Sequence, residues 1–469
     1  VGRWLAGGLA LLVAVAALIL ALGGSLSHTS RGDATLAGRG TRSATHPGGS
    51  TTTGLSTAAG GGTSTATTPS TPTLTPPGSH PRGPAETRLR HALDAAMAAA
   101  GPHVGALVYD ISSGTELYGV HAAVARPPAS VEKLWTTTAL LDRLGPDTRL
   151  QTSVLGTGRD RHGVWHGNLY LRGGGDPTFG DTGFNQVWNH GEGSTPTALV
   201  DQLRRRGIRR VTGRVYPDES LFDRRRGGLI TDYKPDVPDF GGRLSALDYD
   251  HGTTVAGVGP AVFAARVFVE FMAQSGIQAT AAPHDRSTPR TADLLATVDS
   301  PPMSEMVRLM NVPSDDLFAE LFTKQLGVLF GGGGTITDGA RVIARTIAAD
   351  YALHPRILDG SGLGRGDRTS PLQIVELLRD LWDTRTGREL AASLPRTGVD
   401  GTVAGIGAKT AAQGRCLAKT GSLNYVTNLA GWCTTKGGQV LAFGLFLDGP
   451  DNATGFALES RMVGAIAGY

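Results

Sequence analysis

From Ser25 to Pro84 the chain has almost no side chains with which to build a core. Thr, Ser, Gly and Pro dominate, as in Ser50-Thr51-Thr52-Thr53 and Thr68-Pro69-Ser70-Thr71-Pro72. Such a segment cannot offset the entropy of ordering itself, so residues 25–84 are expected to form a disordered linker, an extended tether. A packed body must therefore come from residues 85–469, a length that allows more than one domain. Upstream, Arg3 precedes an apolar run from Trp4 to Leu22, interrupted only by Gly7 and Gly8. About 18 residues is long for a signal-peptide core and just enough to cross a bilayer. Ala21-Leu22-Gly23 offers a small-residue cleavage site, so residues 1–24 read either as a cleaved signal or as an uncleaved anchor in the cytoplasmic membrane. Both export the remainder.

The net charge of +3 is small for 469 residues, and no nucleic-acid partner is expected. The basic runs Arg204 to Arg210 and Arg224 to Arg226 read as a solvated helix end and a loop, with an anionic wall or lipid surface as the alternative. The histidines are scattered and His-Glu-x-x-His is missing, so neither a metal nor another cofactor is expected. There are two cysteines. Cys416 and Cys433 fall on two neighbouring predicted strands, where they can face each other across a hairpin and pair after export; two buried thiols are the alternative.

Leu89, Ala92, Leu93, Ala96, Met97 and Ala100 recur at helical spacing up to Gly101, which predicts a helix over 86–100. Val104 to Asp110 and Thr115 to Val120 read as a hairpin turning at Ser112-Ser113-Gly114. A second helix is expected from Ser130. Beyond Gly145-Pro146 the texture turns strand-rich, with strands at 168–172 and 211–216 around a helix at 196–206. Helices follow at 260–275, 302–311, 314–326, 335–350 and 371–382. Strands at 414–420, 428–434 and 439–447 and a helix over 454–467 close the chain. The economical architecture is α/β (α+β): an antiparallel sheet built from both ends of the body (85–150 and 296–469) and flanked by helices, with 151–295 as an inserted domain.

Three short motifs carry chemistry. Ser130-Val131-Glu132-Lys133 is the only Ser-x-x-Lys in the chain, Ser314-Asp315-Asp316 follows, and Lys419-Thr420-Gly421-Ser422 lies near the C-terminus. At a helix start, Ser130 meets free N–H groups that favour developing negative charge. Lys133 lies one turn further on the same face and can approach its oxygen, which makes an activated nucleophile if the lysine sheds its proton. Gly421 removes a side chain where a substrate backbone could lie along a strand edge. Lys419 with the Thr420 and Ser422 hydroxyls could then hold a carboxylate. Each motif alone is weak, and a capping serine or a strand-end turn would explain it equally well. Their order is much stronger.

This set resembles the penicillin-recognising serine peptidases, and within them the class C low-molecular-mass penicillin-binding proteins, the D-Ala-D-Ala carboxypeptidase/endopeptidase family. Pro128-Ala129 before the nucleophile, Gly174 to Thr178, Ser245-Ala246-Leu247, Asp359 to Leu363, Leu394-Pro395 and Gly398 to Thr402 match as well, and the resemblance covers roughly Ala85 to the end. The long gap between the first two motifs fits the extra domain of class C. The resemblance implies Ser130 as the acylated nucleophile, Lys133 as its base, and Ser314 as a proton relay to the leaving amine. It implies Asp316, Lys419, Thr420, Gly421 and Ser422 around the substrate, with the N–H groups of Ser130 and Ser422 as the oxyanion hole. The 359–363 and 398–402 loops are expected to be scaffold near the cleft. The implied partners are peptidoglycan peptides as substrate and β-lactams as inhibitors. The implied location is extracytoplasmic, tethered to the membrane or secreted to the wall.

One residue departs from the family pattern: Asp316 stands where the family has asparagine. An ionised aspartate cannot donate to a substrate carbonyl. A free lysine near pKa ~10.4 needs about three units of depression to be half neutral at pH 7. A carboxylate about 4 Å away, at an effective dielectric of ~20, opposes that by ~4 kcal/mol. Unless Asp316 pairs with Lys419 or is protonated, it restrains the base. A wall-binding protein that kept the cleft is thus the rival reading, and a β-lactamase the third.

Overall fold

The computed structural model describes residues 83–227 and 242–469. The signal or anchor at 1–24 and nearly all of the linker lie outside them. Among the described residues no helix is long and apolar enough to cross a membrane.

Helix α1 (Pro84–Ala100) leads into β1 (Val104–Asp110) and β2 (Thr115–Val120). A 3-10 turn over Ala129–Glu132 runs straight into α2 (Lys133–Leu144). The next stretch holds β3 (Gln151–Arg161), β4 (Val164–Arg172), α3 (Thr182–Trp188), α4 (Pro196–Arg205), β5 (Arg210–Val211), β6 (Val215–Asp218), α5 (Pro260–Gln274) and β7 (Asp293–Asp299). Helices α6 (Met303–Asn311), α7 (Asp316–Leu326), α8 (Ile336–Tyr351), α9 (Pro371–Leu381) and α10 (Arg385–Ser393) follow. The last elements are β8 (Cys416–Leu423), β9 (Val426–Thr434), β10 (Val440–Asp448) and α11 (Asn452–Ala467).

The first sheet has the order β2-β1-β10-β9-β8 and is antiparallel throughout, so both ends of the body do build one sheet. Side chains alternate between two apolar cores, as the two-residue period of a strand requires. Val104, Ala106, Val108, Phe443 and Leu445 pack against α1 and α11. Leu107, Ala430, Trp432 and Phe446 pack against the layer of α2 and α6 to α10. Phe443 and Phe446 are fully buried on opposite faces, and burying such a side chain contributes ~1.5–3 kcal/mol. A one-residue slip would forfeit both, which fixes the register.

A second sheet, β5-β4-β3-β7 with β6 also on β4, is drawn from residues 151–299. It mixes antiparallel β3–β4 and β3–β7 pairs with parallel β4–β5 and β4–β6 pairs, and Leu169, Leu171, Leu199, Leu203 and Phe268 form its core with α4 and α5. The strand expected over 211–216 is two short ones, because the chain at Gly213 presses on Gly167 and Asn168. Helices α3 and α10 are additions to the sequence reading.

Candidate active site

The helix expected from Ser130 starts three residues later, at Lys133, and the reason lies in what holds the preceding turn. Ala129 has φ of 48°, left-handed. The Pro127 and Pro128 carbonyls both accept from the Asn428 side chain at 2.9 Å. Gly421, the partner of Asn428 in the β8–β9 register, lets the turn approach: a β-carbon there would lie 2.4 Å from the Pro128 oxygen. From the other side, a β-carbon on Gly362 would meet the Ala129 oxygen at 1.9 Å, and Gly362 itself has φ of 83°. The turn that carries Ser130 is thus clamped between two glycines. The β-carbon position of Gly421 is taken up by the chain's own Pro128–Val131.

Lys133 is fully buried, and its amine reaches three oxygens: Ser130 Oγ at 3.0 Å, Asp316 Oδ1 at 2.5 Å and the Ser361 carbonyl at 2.9 Å. Three acceptors match the three hydrogens of an ammonium. Asp316 therefore pairs with Lys133 and not with Lys419. Burial pushes the Asp316 carboxyl upward, and Lys133 opposes the shift without cancelling it.

Lys419 sits inside β8 rather than at its end, since the strand continues to Leu423. Its buried amine donates to Ser314 Oγ at 2.8 Å and to the Thr420 carbonyl at 3.0 Å. Burial drives it well below the ordinary lysine range, the nearby Lys133 charge adds to this, and Asp316 only partly compensates. Ser314 is left-handed at φ of 67°, and α7 begins after it with Asp315 as N-cap. The Thr420 hydroxyl donates to Thr402 Oγ1 at 2.7 Å, and Ser422 is exposed. Ser130, Ser314, Asp316, Thr420 and Ser422 line one cleft of about 350 Å³, together with Leu363, Thr402, Phe456 and their neighbours.

Several contributors gave no motif signal. Asn428 is one. Behind Ser130 lie the buried carboxyls of Glu132, Glu320, Asp359 and Asp367. Asp359 accepts from the Gly362 and Gly364 amides, and Glu320 from the Ser361 amide, so these groups shape the loop that meets Lys133. Both Glu132 oxygens are buried without a hydrogen-bond partner. Burial, with Asp367 and Asp359 adding repulsion, holds Glu132 well above the carboxylate range. Burial likewise raises Glu320 well above it, Asp359 to about 6 and Asp367 to about 8.

Cys416 and Cys433 are register partners across the β8–β9 hairpin and form a disulfide.

A serine 3.0 Å from a buried lysine amine beneath one edge of a helix-covered antiparallel sheet, with a second buried lysine on the edge strand, resembles the plan of the penicillin-recognising serine peptidases. The comparisons with known proteins narrow this. Residues 89–239 and 240–469 match the D-Ala-D-Ala carboxypeptidase 3 (S13) family. Carboxypeptidase DacB of Mycolicibacterium smegmatis is 30% identical over 412 residues, covering 82% of this chain and 86% of that protein. Penicillin binding protein 4 of Haemophilus influenzae superposes with a TM-score of 0.68 at 19% identity, over 80% of this chain and 99% of that one. The same protein complexed with a β-lactam gives 0.64 at 20% identity, with the same coverage. The chain belongs to the S13 D-Ala-D-Ala carboxypeptidase family, a family of serine hydrolases.

Proposed function

We propose that this protein cleaves the D-Ala-D-Ala ends or D-Ala-containing cross-links of peptidoglycan stem peptides through an ester on Ser130. The observation that carries the reading is the 3.0 Å contact between Ser130 Oγ and the Lys133 amine at the wall of the cleft, with Lys419 and Ser314 joined in the same site. In the first step Lys133, as the free amine, takes the Ser130 proton and Oγ attacks the scissile carbonyl. The N–H groups of Ser130 and Ser422 receive the oxyanion. The Lys419–Ser314 pair passes a proton to the departing D-Ala amine. Water then enters, and the ester is hydrolysed to a free carboxylate while Ser130 recovers its proton.

Thr420 and Ser422 offer hydroxyls to the substrate's terminal carboxylate. Lys419, so far below the ordinary lysine range when the cleft is empty, takes up a proton as that carboxylate arrives. A β-lactam acylates the same serine, as its amide mimics D-Ala-D-Ala; the β-lactam complex of the Haemophilus influenzae relative supports this. Residues 151–295 are read as a domain inserted between 85–150 and 296–469, and residues 1–24 as the export signal or membrane anchor of an extracytoplasmic enzyme. Family membership favours the peptidase over the wall-binding alternative.

The test is intact-protein mass after exposure to penicillin. The protein gains one penicillin, and Ser130→Ala gains none. An adduct that persists in Ser130→Ala would overturn the nucleophile, and no adduct on the natural protein would overturn the reading.

A further inference from the structure

His251 belongs to none of the motifs, yet it reaches the middle one. It lies in the segment between the second sheet's β6 and α5, at φ of 58° beside Asp250 at 45°. Its Nε2 is 2.6 Å from Asp315 Oδ2, and the two side chains are only 20% and 18% exposed. Its ring packs 6.1 Å from that of Phe318 on α7.

The other oxygen of Asp315 accepts from the Phe318 amide at 3.0 Å and so starts α7. The Asp315 amide donates to the Met310 carbonyl at 2.7 Å. One carboxylate therefore sets the bend on which its two neighbours depend. Ser314, left-handed, meets the Lys419 amine; Asp316, the first residue of α7, meets the Lys133 amine. A left-handed non-glycine residue is held only when its surroundings over-determine it. Here the holding group comes from another part of the fold.

We propose that His251 is a positioning residue for acyl transfer: by gripping Asp315 it fixes the Ser314–Asp316 bend and ties the cleft to the 242–259 loop. This rests on the reading of Ser130 as the acylated nucleophile.

The pair has a pH sense. Burial pushes His251 down, but the Asp315 carboxylate, helped by Asp248 and Asp316, outweighs it and brings His251 to about 8. Asp315 stays below the ordinary carboxylate range, since His251, with Lys133 contributing, outweighs its burial. The pair is charged on both sides below about pH 6.5, the ordinary histidine value, and weakens to a neutral hydrogen bond as pH rises through about 8. Asp248, with Asp176 behind it, faces the same imidazole and is itself raised to about 8 by burial.

The experiment measures acylation by a fluorescent penicillin from pH 6 to 9.5, with thermal unfolding of each variant as a control. Natural protein shows a downward inflection near pH 8. His251→Ala acylates at least tenfold more slowly at pH 7. His251→Gln, which keeps only a neutral donor, acylates near the rate that the natural protein shows above its inflection and shows no inflection, while Asp248→Asn keeps it. Normal acylation by folded His251→Ala, or an inflection that survives in His251→Gln or vanishes only in Asp248→Asn, overturns the proposal. Absence of any Ser130 adduct on the natural protein overturns the underlying reading instead.

Discussion

The Lys133 amine and the Asp316 carboxylate form a buried ion pair 2.5 Å apart, and the same amine lies 3.0 Å from Ser130 Oγ. Two charges this close support each other, so the pair resists losing the ammonium proton and with it forming the free amine that acylation needs. Asp316→Asn removes the opposing charge and keeps a side chain of the same shape. Acylation of Ser130 by a fluorescent penicillin is expected to rise about tenfold at pH 7, equivalent to ~1.4 kcal/mol of barrier, with the rising limb below the pH 8 inflection displaced to lower pH. Superimposable pH profiles for the two proteins would show that this charge does not govern the base.

Gly421→Ala places a methyl group 2.4 Å from a backbone oxygen that has no room to move. The turn carrying Ser130 must shift, so acylation is expected to fall by at least tenfold while the fold loses roughly 1–3 kcal/mol. Rates and unfolding measured on the same sample separate the two effects. Natural acylation in the alanine variant would mean that the turn has slack.

The buried carboxyls behind the nucleophile make stability depend on pH. Asp359 at about 6 and Asp367 at about 8 lie above their unfolded values. Their protons favour the fold fully below the unfolded range, near pH 4, and that contribution is lost as pH climbs through 6 and 8. Each proton held only by the folded chain is worth ~1.4 kcal/mol per pH unit across its window. Glu132→Gln removes one such proton. Its melting temperature is expected to match the natural protein near pH 4 and to exceed it increasingly toward pH 8. A constant difference across pH would count against a buried, protonated Glu132.

The Cys416–Cys433 bond closes a short loop, with a sequence separation of 17. Unreduced, denatured protein is expected to show no reactive thiol, and the double alanine variant to lose roughly 3 kcal/mol of stability. Two titratable thiols in the natural protein would refute the pairing.

What could be read from the sequence was whatever local chemistry dictates. The hairpin carrying Cys416 and Cys433 was legible because its two strands are adjacent in sequence and alternate. The motif spacing made Ser130, Lys133, Ser314, Asp316, Lys419, Thr420 and Ser422 legible; Ser130, Ser314, Asp316, Thr420 and Ser422 line one cleft, and the buried Lys133 and Lys419 amines reach it through Ser130 and Ser314. The close approach at Gly421 was not legible, because the group that meets its β-carbon position lies about 290 residues earlier and no local pattern reports that. The partner of Asp316 was left between two lysines, which only the packed interior distinguishes. His251 and Asn428 left no trace, since a histidine in a loop and an asparagine in an apolar strand gain meaning only from what tertiary packing brings beside them. Helix α2 was placed three residues early because propensity saw a continuous helix where two distant glycines impose a tighter turn.

The clamp around Ala129 also has a temporal side. The turn is gripped by residues 362, 421 and 428, and β1 finds its central neighbour only in β10. A chain made from its N-terminus carries the serine long before it carries the grip. Closing contacts across some 300 residues is slow compared with forming local helices. Until that closure the serine has no shaped site. With Ser130 acylated as proposed, covalent labelling by penicillin is a clock for maturation, because it cannot begin before the last strands have docked.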